Sequence, residues 1–182
     1  MLSKIYDRDL RAKLAALDSV QAIIEFKPDG TILDANANFL KAMGYQIDEI
    51  RGRHHRMFVE PAERESTAYR DFWKALGRGE PQARSFKRLA KGGREVWIEA
   101  SYNPLRNRAG QVVKVVKFAT DVTAQTQRSI ELDGQMAALN RSQAVIAFTP
   151  DGIILDANPN FLAAMGYQID EIRGQHHRMF VD

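Results

Sequence analysis

The sequence predicts an α+β fold: a five-stranded antiparallel sheet with short helices on one face, flanked by amphipathic helices. Two observations carry that expectation. The stretch from Lys27 to Glu60, KPDGTILDANANFLKAMGYQIDEIRGRHHRMFVE, returns 122 positions later as Thr149 to Asp182, TPDGIILDANPNFLAAMGYQIDEIRGQHHRMFVD, changed only at positions 27, 31, 37, 41, 53 and 60. A segment repeated this closely is one structural unit used twice. The first copy is then followed by three alternating, strand-like runs, while the second stops half-way through the same pattern.

Taken in order, Leu10, Leu14 and Leu17 recur at helical spacing between charged residues and predict an amphipathic helix. Ala22 to Phe26 reads as a strand, Pro28-Asp29-Gly30 as a turn, and Thr31 to Leu33 as the returning strand of a hairpin. Asn36 or Asn38 is placed to N-cap a short helix holding Phe39, Leu40 and Met43, and Gly44 to end it. Asp48, Ile50 and Gly52 predict one more helical turn. Glu63 to Leu76 predicts a longer helix, with Tyr69, Phe72, Trp73 and Leu76 on one stripe. The runs Arg84 to Ala90, Glu95 to Asn103 and Val112 to Ala119 are strands, separated by turn compositions at Lys91-Gly92-Gly93 and at Asn107 to Gly110. In the middle run Val96, Ile98, Ala100 and Tyr102 face one way, as in a half-buried antiparallel strand.

From Val122 to about Asn140 the chain is polar and helical. Its interrupted seven-residue series (Val122, Ser129, Met136; Gln125, Leu132, Leu139) fits either a short coiled-coil connector or a helix covering its own domain. The expected organisation is a helix over 1–17, a complete domain over 18–123, a connector over 124–140 and the front half of a second domain over 141–182.

Composition narrows the function classes. Lys and Arg number 26 against 23 Asp and Glu, a net charge of +3 with the signs interspersed. No basic stripe suited to a phosphate backbone results, so nucleic acid is not an expected partner. There is no cysteine, which excludes disulfides and thiolate-bound metals and fits a cytoplasmic location. No apolar run reaches the length of a membrane span, and the N-terminus has no signal-peptide core. No catalytic triad or phosphate-binding glycine loop is evident, so an enzyme is not expected.

The hairpin PDG-x-I-L-DAN, the run NFL-x-AMGY, I-x-E-I-x-G, the helix AYRDFWKAL, the run K-R-x-x-K-G-G-x-x-x-W and the closing FATDVT, in this order, resemble a PAS sensor domain. The closest likeness is to the tandem cytoplasmic PAS domains of bacterial methyl-accepting chemotaxis receptors of the aerotaxis type. The resemblance implies a sensory module of a chemotaxis signal transducer that detects redox state, oxygen or a small ligand. It also implies that Asp121-Val122-Thr123 hands the change to a signalling helix. A ligand-free dimerisation module of a chemoreceptor, histidine kinase or cyclase is the alternative.

Four residues are candidates for cofactor binding: His55, Trp73, Asn36 and His54. The His54-His55 pair points two ways and makes a poor chelate. One imidazole could serve as an axial ligand to haem iron, and His55 is the choice because it matches the histidine of a G-x-x-H-x-M segment in flavin-type aerotaxis receptors. His55 is thus the one expected metal ligand, and only if haem is bound; local capping or solvation is the alternative for the pair. Trp73 either fills core volume or stacks on a planar cofactor. Asn36 either caps its helix or reaches a ligand, as its counterpart is thought to do in flavin-binding relatives. Where those relatives carry an Arg-His pair before the proline at Pro61, this chain has Val59-Glu60, and a tryptophan is replaced by Gln82. These losses rank b-type haem ahead of FAD, with a cofactor-free domain also open. The expected partners are a homodimer or higher oligomer, domain-swapped through the incomplete repeat in one version, and chemotaxis signalling proteins reached through an output domain.

Overall fold

The structure is a computed structural model. It describes residues 2–181 except the side chains of residues 2–7 and Leu10, so the Leu10 position of the N-terminal stripe lies outside the described residues. The chain divides into two units, Met1–Ala124 and Gln125–Asp182.

The first unit begins with α1 (Leu2–Val20), followed by the hairpin β1 (Ala22–Phe26) and β2 (Ile32–Ala35). Three short segments come next: α2 (Ala37–Met43), α3 (Ile47–Ile50) and a 3-10 turn at His55–Phe58. α4 (Pro61–Arg64) and α5 (Thr67–Arg78) lead into β3 (Gln82–Leu89), β4 (Glu95–Arg106) and β5 (Val112–Asp121). The five strands form one antiparallel sheet in the order β2-β1-β5-β4-β3. The strand that closes the domain, β5, therefore lies at its centre, between β1 and β4.

Local chemistry explains most boundaries. The Asn36 side chain accepts from the Phe39 amide (3.0 Å) and starts α2; Gly44, at φ 72°, ends it in the left-handed conformation. Gln46 and Glu49 form a capping box around α3. The single helix expected over Glu63 to Leu76 is instead two pieces, because the Ser66 hydroxyl accepts from the Tyr69 amide (3.1 Å) and restarts the helix there. The returning strand begins at Ile32, one residue later than expected, because Thr31 bridges to His54 instead. The last two strands run past their expected ends, since the β4–β5 ladder pairs as far as Ile98↔Asp121 and Arg106↔Val112, while β3 starts two residues early, at Gln82, and ends at Leu89.

The core lies between the sheet and α2 to α5. Val96, Ile98, Ala100 and Tyr102 on β4 are buried as their alternation predicts, and they meet Phe39, Met43, Ile50, Phe58 and the Tyr69, Phe72, Trp73, Leu76 stripe of α5. On α1 the stripe residues Leu14 and Leu17 remain exposed, as does Val20.

The second unit contains most of α6 (Thr123–Ser142), then β6 (Ile146–Phe148), β7 (Ile154–Ala157), α7 (Pro159–Met165), α8 (Ile169–Ile172) and a 3-10 turn at His177–Phe180. β6 and β7 pair with the same register and bulge as β1 and β2. Leu132, Met136 and Leu139 of α6 are exposed, as are Phe148, Met165 and Val181. No helix among the described residues is long and apolar enough to cross a membrane.

Candidate ligand site

The turn between β1 and β2 sets the position of the histidine pair. Gly30, at φ 89°, accepts the His55 amide on its carbonyl (2.9 Å). A Cβ built on Gly30 would stand 2.8 Å from the His54 ring and 3.0 Å from Trp73. Glycine is required here for both conformation and space.

The two histidines then diverge. His54 Nε2–H donates to the Asp29 carbonyl (2.7 Å), and its Nδ1 accepts from the Arg56 amide (3.1 Å), capping the 3-10 turn. Burial holds its pKa below the usual histidine value. His55 points inward and is fully buried, with Phe26, Phe58 and Trp73 edge-on around its ring. Its Nδ1 lies 2.9 Å from the Tyr69 hydroxyl and its Nε2 2.9 Å from the Tyr102 hydroxyl. One ring nitrogen donates and the other accepts, so the pair of tyrosines consumes the imidazole's full capacity. Burial pushes the His55 pKa well down, and Lys117 and Arg88 push it further in the same direction. Burial also raises the Tyr69 pKa to about 12. The ring at the centre of this domain is a neutral imidazole between two neutral phenols.

The other two expected residues part company: Trp73 lies beside His55, and Asn36 does not. Trp73 is buried against Phe26, His55 and Phe72. Its indole N–H lies close enough to the Tyr69 hydroxyl to lower that group's pKa, yet makes no hydrogen bond of ordinary geometry. Asn36 is occupied by the backbone: Oδ1 accepts from Ile23 (2.9 Å) and Phe39 (3.0 Å), while Nδ2 donates to Gln21 O (2.8 Å) and to Asp18 O (3.1 Å). With these bonds made, Asn36 joins β1 to α2 and has no donor or acceptor directed at a ligand.

Haem does not fit this arrangement. An axial histidine needs a free imidazole lone pair, and both His55 nitrogens are engaged by tyrosines. A flavin fits no better, since the layer that would receive its ring is filled by the mutually packed rings of Phe26, His55, Trp73 and Tyr102. Val59 is buried in the core and Glu60 pairs with Lys87 (2.6 Å), so neither position where relatives carry Arg-His supplies a cation. Among the described residues no cluster of three or more His, Asp or Glu could hold a metal ion.

Sequence reasoning missed two residues of this layer. Lys117 on β5 and Arg88 on β3 are both 2% exposed. Alternation could have found them: Lys117 shares a face with Val115 and Ala119, and Arg88 with Phe86 and Ala90.

The strands that line this layer also hold the exit helix. Val122 N donates to Trp97 O (2.8 Å), and the Thr123 hydroxyl accepts from Trp97 N (2.9 Å). Asp121 Oδ1 in turn accepts from Thr123 N (2.9 Å). The start of α6 is thus bonded to β4, five residues from the tyrosine that holds His55.

Comparison with known proteins agrees with this geometry. A family model described as the PAS fold matches residues 18–127, and one described as a PAS domain matches residues 142–182. The biofilm dispersion protein BdlA of Pseudomonas aeruginosa is 46% identical over 169 residues, covering 93% of this chain and 40% of that protein. A blue-light-activated histidine kinase of Brucella canis is 28% identical over 157 residues, covering 80% and 32%. The chain therefore spans less than half the length of these relatives. Among solved structures, an RNA-binding light-oxygen-voltage receptor superimposes with a TM-score of 0.55 at 28% identity, over 71% of this chain and 36% of that one. A PAS domain from Colwellia psychrerythraea, at 24% identity and a TM-score of 0.55, covers 63% of this chain and 98% of its own length, and shares the fold.

Proposed function

The chain belongs to the PAS family, and on that premise we propose that it is the sensory part of a bacterial signal transducer of the chemotaxis-receptor type. Its first domain detects a small molecule in the layer between the sheet and α5 and passes the change to α6. It is a binding module and catalyses no reaction. The observation that carries this reading is the shared use of β4: Tyr102 holds His55 at one end, and Trp97 holds the first residues of the exit helix at the other. A ligand that displaces the Tyr102 hydroxyl from His55 perturbs a side chain of β4, and β4 is bonded to the start of α6. Such a ligand shifts the population between two arrangements of the same strands.

Hydrogen exchange tests the coupling. Tyr102→Phe, which removes the hydroxyl from His55 without changing the ring, should alter exchange of the Val122 and Thr123 amides. Unchanged exchange at that junction would refute transmission through β4. Absorption spectra of protein titrated with haemin or FAD test the cofactors: the geometry predicts no saturable band near ~400 nm or ~450 nm.

A second reading, a ligand-free dimerisation module, is favoured by the outer face of the sheet. There Leu14 of α1 lines a groove with Ile23, Leu105, Val116 and Phe118. Under this reading Leu14→Asp lowers a dimer to a monomer in sedimentation equilibrium, with no ligand required.

A further inference from the structure

Residues 22–59 and 144–181 are two versions of one front half. They differ at positions 23, 25, 27, 31, 37, 41 and 53 of the first copy and their counterparts, and none of those positions is buried in the first domain. Every buried residue is kept, among them Phe26 as Phe148, Met43 as Met165 and Val59 as Val181.

Their surroundings differ. In the first domain one edge of β1 pairs with β5, from Ala22↔Ala119 to Phe26↔Val115, and Phe26 packs on Trp73 of α5 and Tyr102 of β4. Among the described residues β6 has only β7 beside it, and it is shorter than β1 because Ala144 and Val145, the counterparts of Ala22 and Ile23, pair with no strand. Phe148, Met165 and Val181 are exposed where Phe26, Met43 and Val59 are buried. An open strand edge beside an apolar face is a template for another chain.

The first copy shows which surface covers such a face: α5 with β3, β4 and β5. On that surface 144–181 forfeits the part-exposed Glu25–Lys114 ion pair (2.6 Å), because Ala147 stands at the place of Glu25, and a pair of this kind contributes little. In return Pro159 starts α7 and Ala163 replaces Lys41, both favourable to the short helix. The two front halves are therefore close in free energy on the same surface. α6 decides whose surface it is. Its 20 residues of helix span about 30 Å, so Ala144 cannot lie beside Ala119 of its own chain while the helix is intact.

We propose that residues 144–181 of one chain take the place of residues 22–59 on α5 and β3–β5 of a second copy, with β6 pairing against β5 of that copy. Exchange of equivalent elements is a low-cost route to dimers. Residues 22–59 are joined directly to α4 and must be displaced, so the exchanged form grows with protein concentration. The inference goes beyond the sensor reading and does not depend on it.

The sequence has no cysteine, so engineered thiols have no rivals. Full chains carrying Ala119→Cys and Ala144→Cys are mixed under oxidised glutathione, and linked peptides are identified by mass spectrometry. The 119–144 disulfide should form severalfold faster than the 119–147 disulfide in a mixture of Ala119→Cys and Ala147→Cys, because position 147 corresponds to Glu25, which lies opposite Val116 instead. Dilution should slow it. Phe148→Asp, added to the Ala144→Cys chain, leaves the first domain untouched, charges the exposed face and should abolish the link. Absence of the 119–144 disulfide, equal rates in the two mixtures, or a link that survives Phe148→Asp would each overturn the proposal.

Discussion

Replacing Lys117 by methionine removes the charged tip from the core while keeping an unbranched, flexible side chain of similar length. Among the described residues the ammonium meets the rings of Tyr102 and Phe39, so the substitution forfeits a cation–π attraction of about 0.5–2 kcal/mol. Against this stands the cost of carrying the group, charged or stripped of its proton, into a site 2% exposed with like-charged Arg88 nearby. Exchange of unpaired buried charge for apolar packing typically stabilises by about 1–4 kcal/mol, and that gain is expected here at pH 7. The effect has a pH signature. Burial depresses the folded pKa of Lys117 well below the ordinary 10.5, so between the two values the unfolded chain binds more protons than the folded one. Native stability therefore climbs with pH through that window, and Lys117→Met lacks the climb. Urea unfolding followed by tryptophan fluorescence at pH 7 and pH ~9.5 should show the variant ahead at the lower pH and the gap closing at the higher. A variant less stable than the native chain at pH 7, or a gap that ignores pH, would show that Lys117 has a compensating partner in the core.

Tyr102→Phe leaves His55 Nε2 buried without its partner and should cost about 1–3 kcal/mol in urea unfolding, a penalty His55→Phe in the same background should reduce. Gly30→Ala forces a side chain into φ 89° and into contact with His54 and Trp73, so it should cost about 2 kcal/mol or more. Gly92→Ala, at φ 76° with nothing within 4 Å, should cost only the backbone strain of about 1–2 kcal/mol. Burial lowers the pKa of both histidines below the ordinary 6.5, that of His55 furthest. As pH falls below that value the unfolded chain takes up protons that the folded chain refuses. Stability should decline from pH 6.5 downward, by up to about 1.4 kcal/mol per pH unit for His55 and by less for the part-exposed His54, and His55→Gln should flatten the decline.

The near-identical repeat separates what local sequence decides from what the tertiary structure adds. Both copies start their helix with the same asparagine, Asn36 and Asn158, accepting from Phe39 and Phe161 at 3.0 and 2.9 Å. Both end it on a left-handed glycine, build the same Gln–Glu capping box, pair Arg51 with Asp34 and Arg173 with Asp156, and cap the 3-10 turn with the first histidine. These interactions span at most some twenty residues, so the hairpin and helices were legible from sequence, and so was an asparagine cap at Asn36 or Asn38, of which the fold uses Asn36. The β4 alternation was legible for the same reason: one face of a strand repeats every second residue.

Burial tells the other half. Phe26 is fully buried and its counterpart Phe148 is 51% exposed; Val59 is fully buried and Val181 is 69% exposed. His55 sits between Tyr69 and Tyr102, whereas His177, in the same local sequence, stacks on His176 (4.8 Å) and Phe148 (5.3 Å). The difference is α5 and the strands β3 to β5, which the first domain brings back over its own front half from distant positions in the chain. By itself the sequence determined the hairpin, the capped helices and the family. Only the tertiary structure decided that His55 is a buried, doubly bonded imidazole and that Lys117 and Arg88 are buried in the same domain, because those environments come from residues the local sequence does not contain.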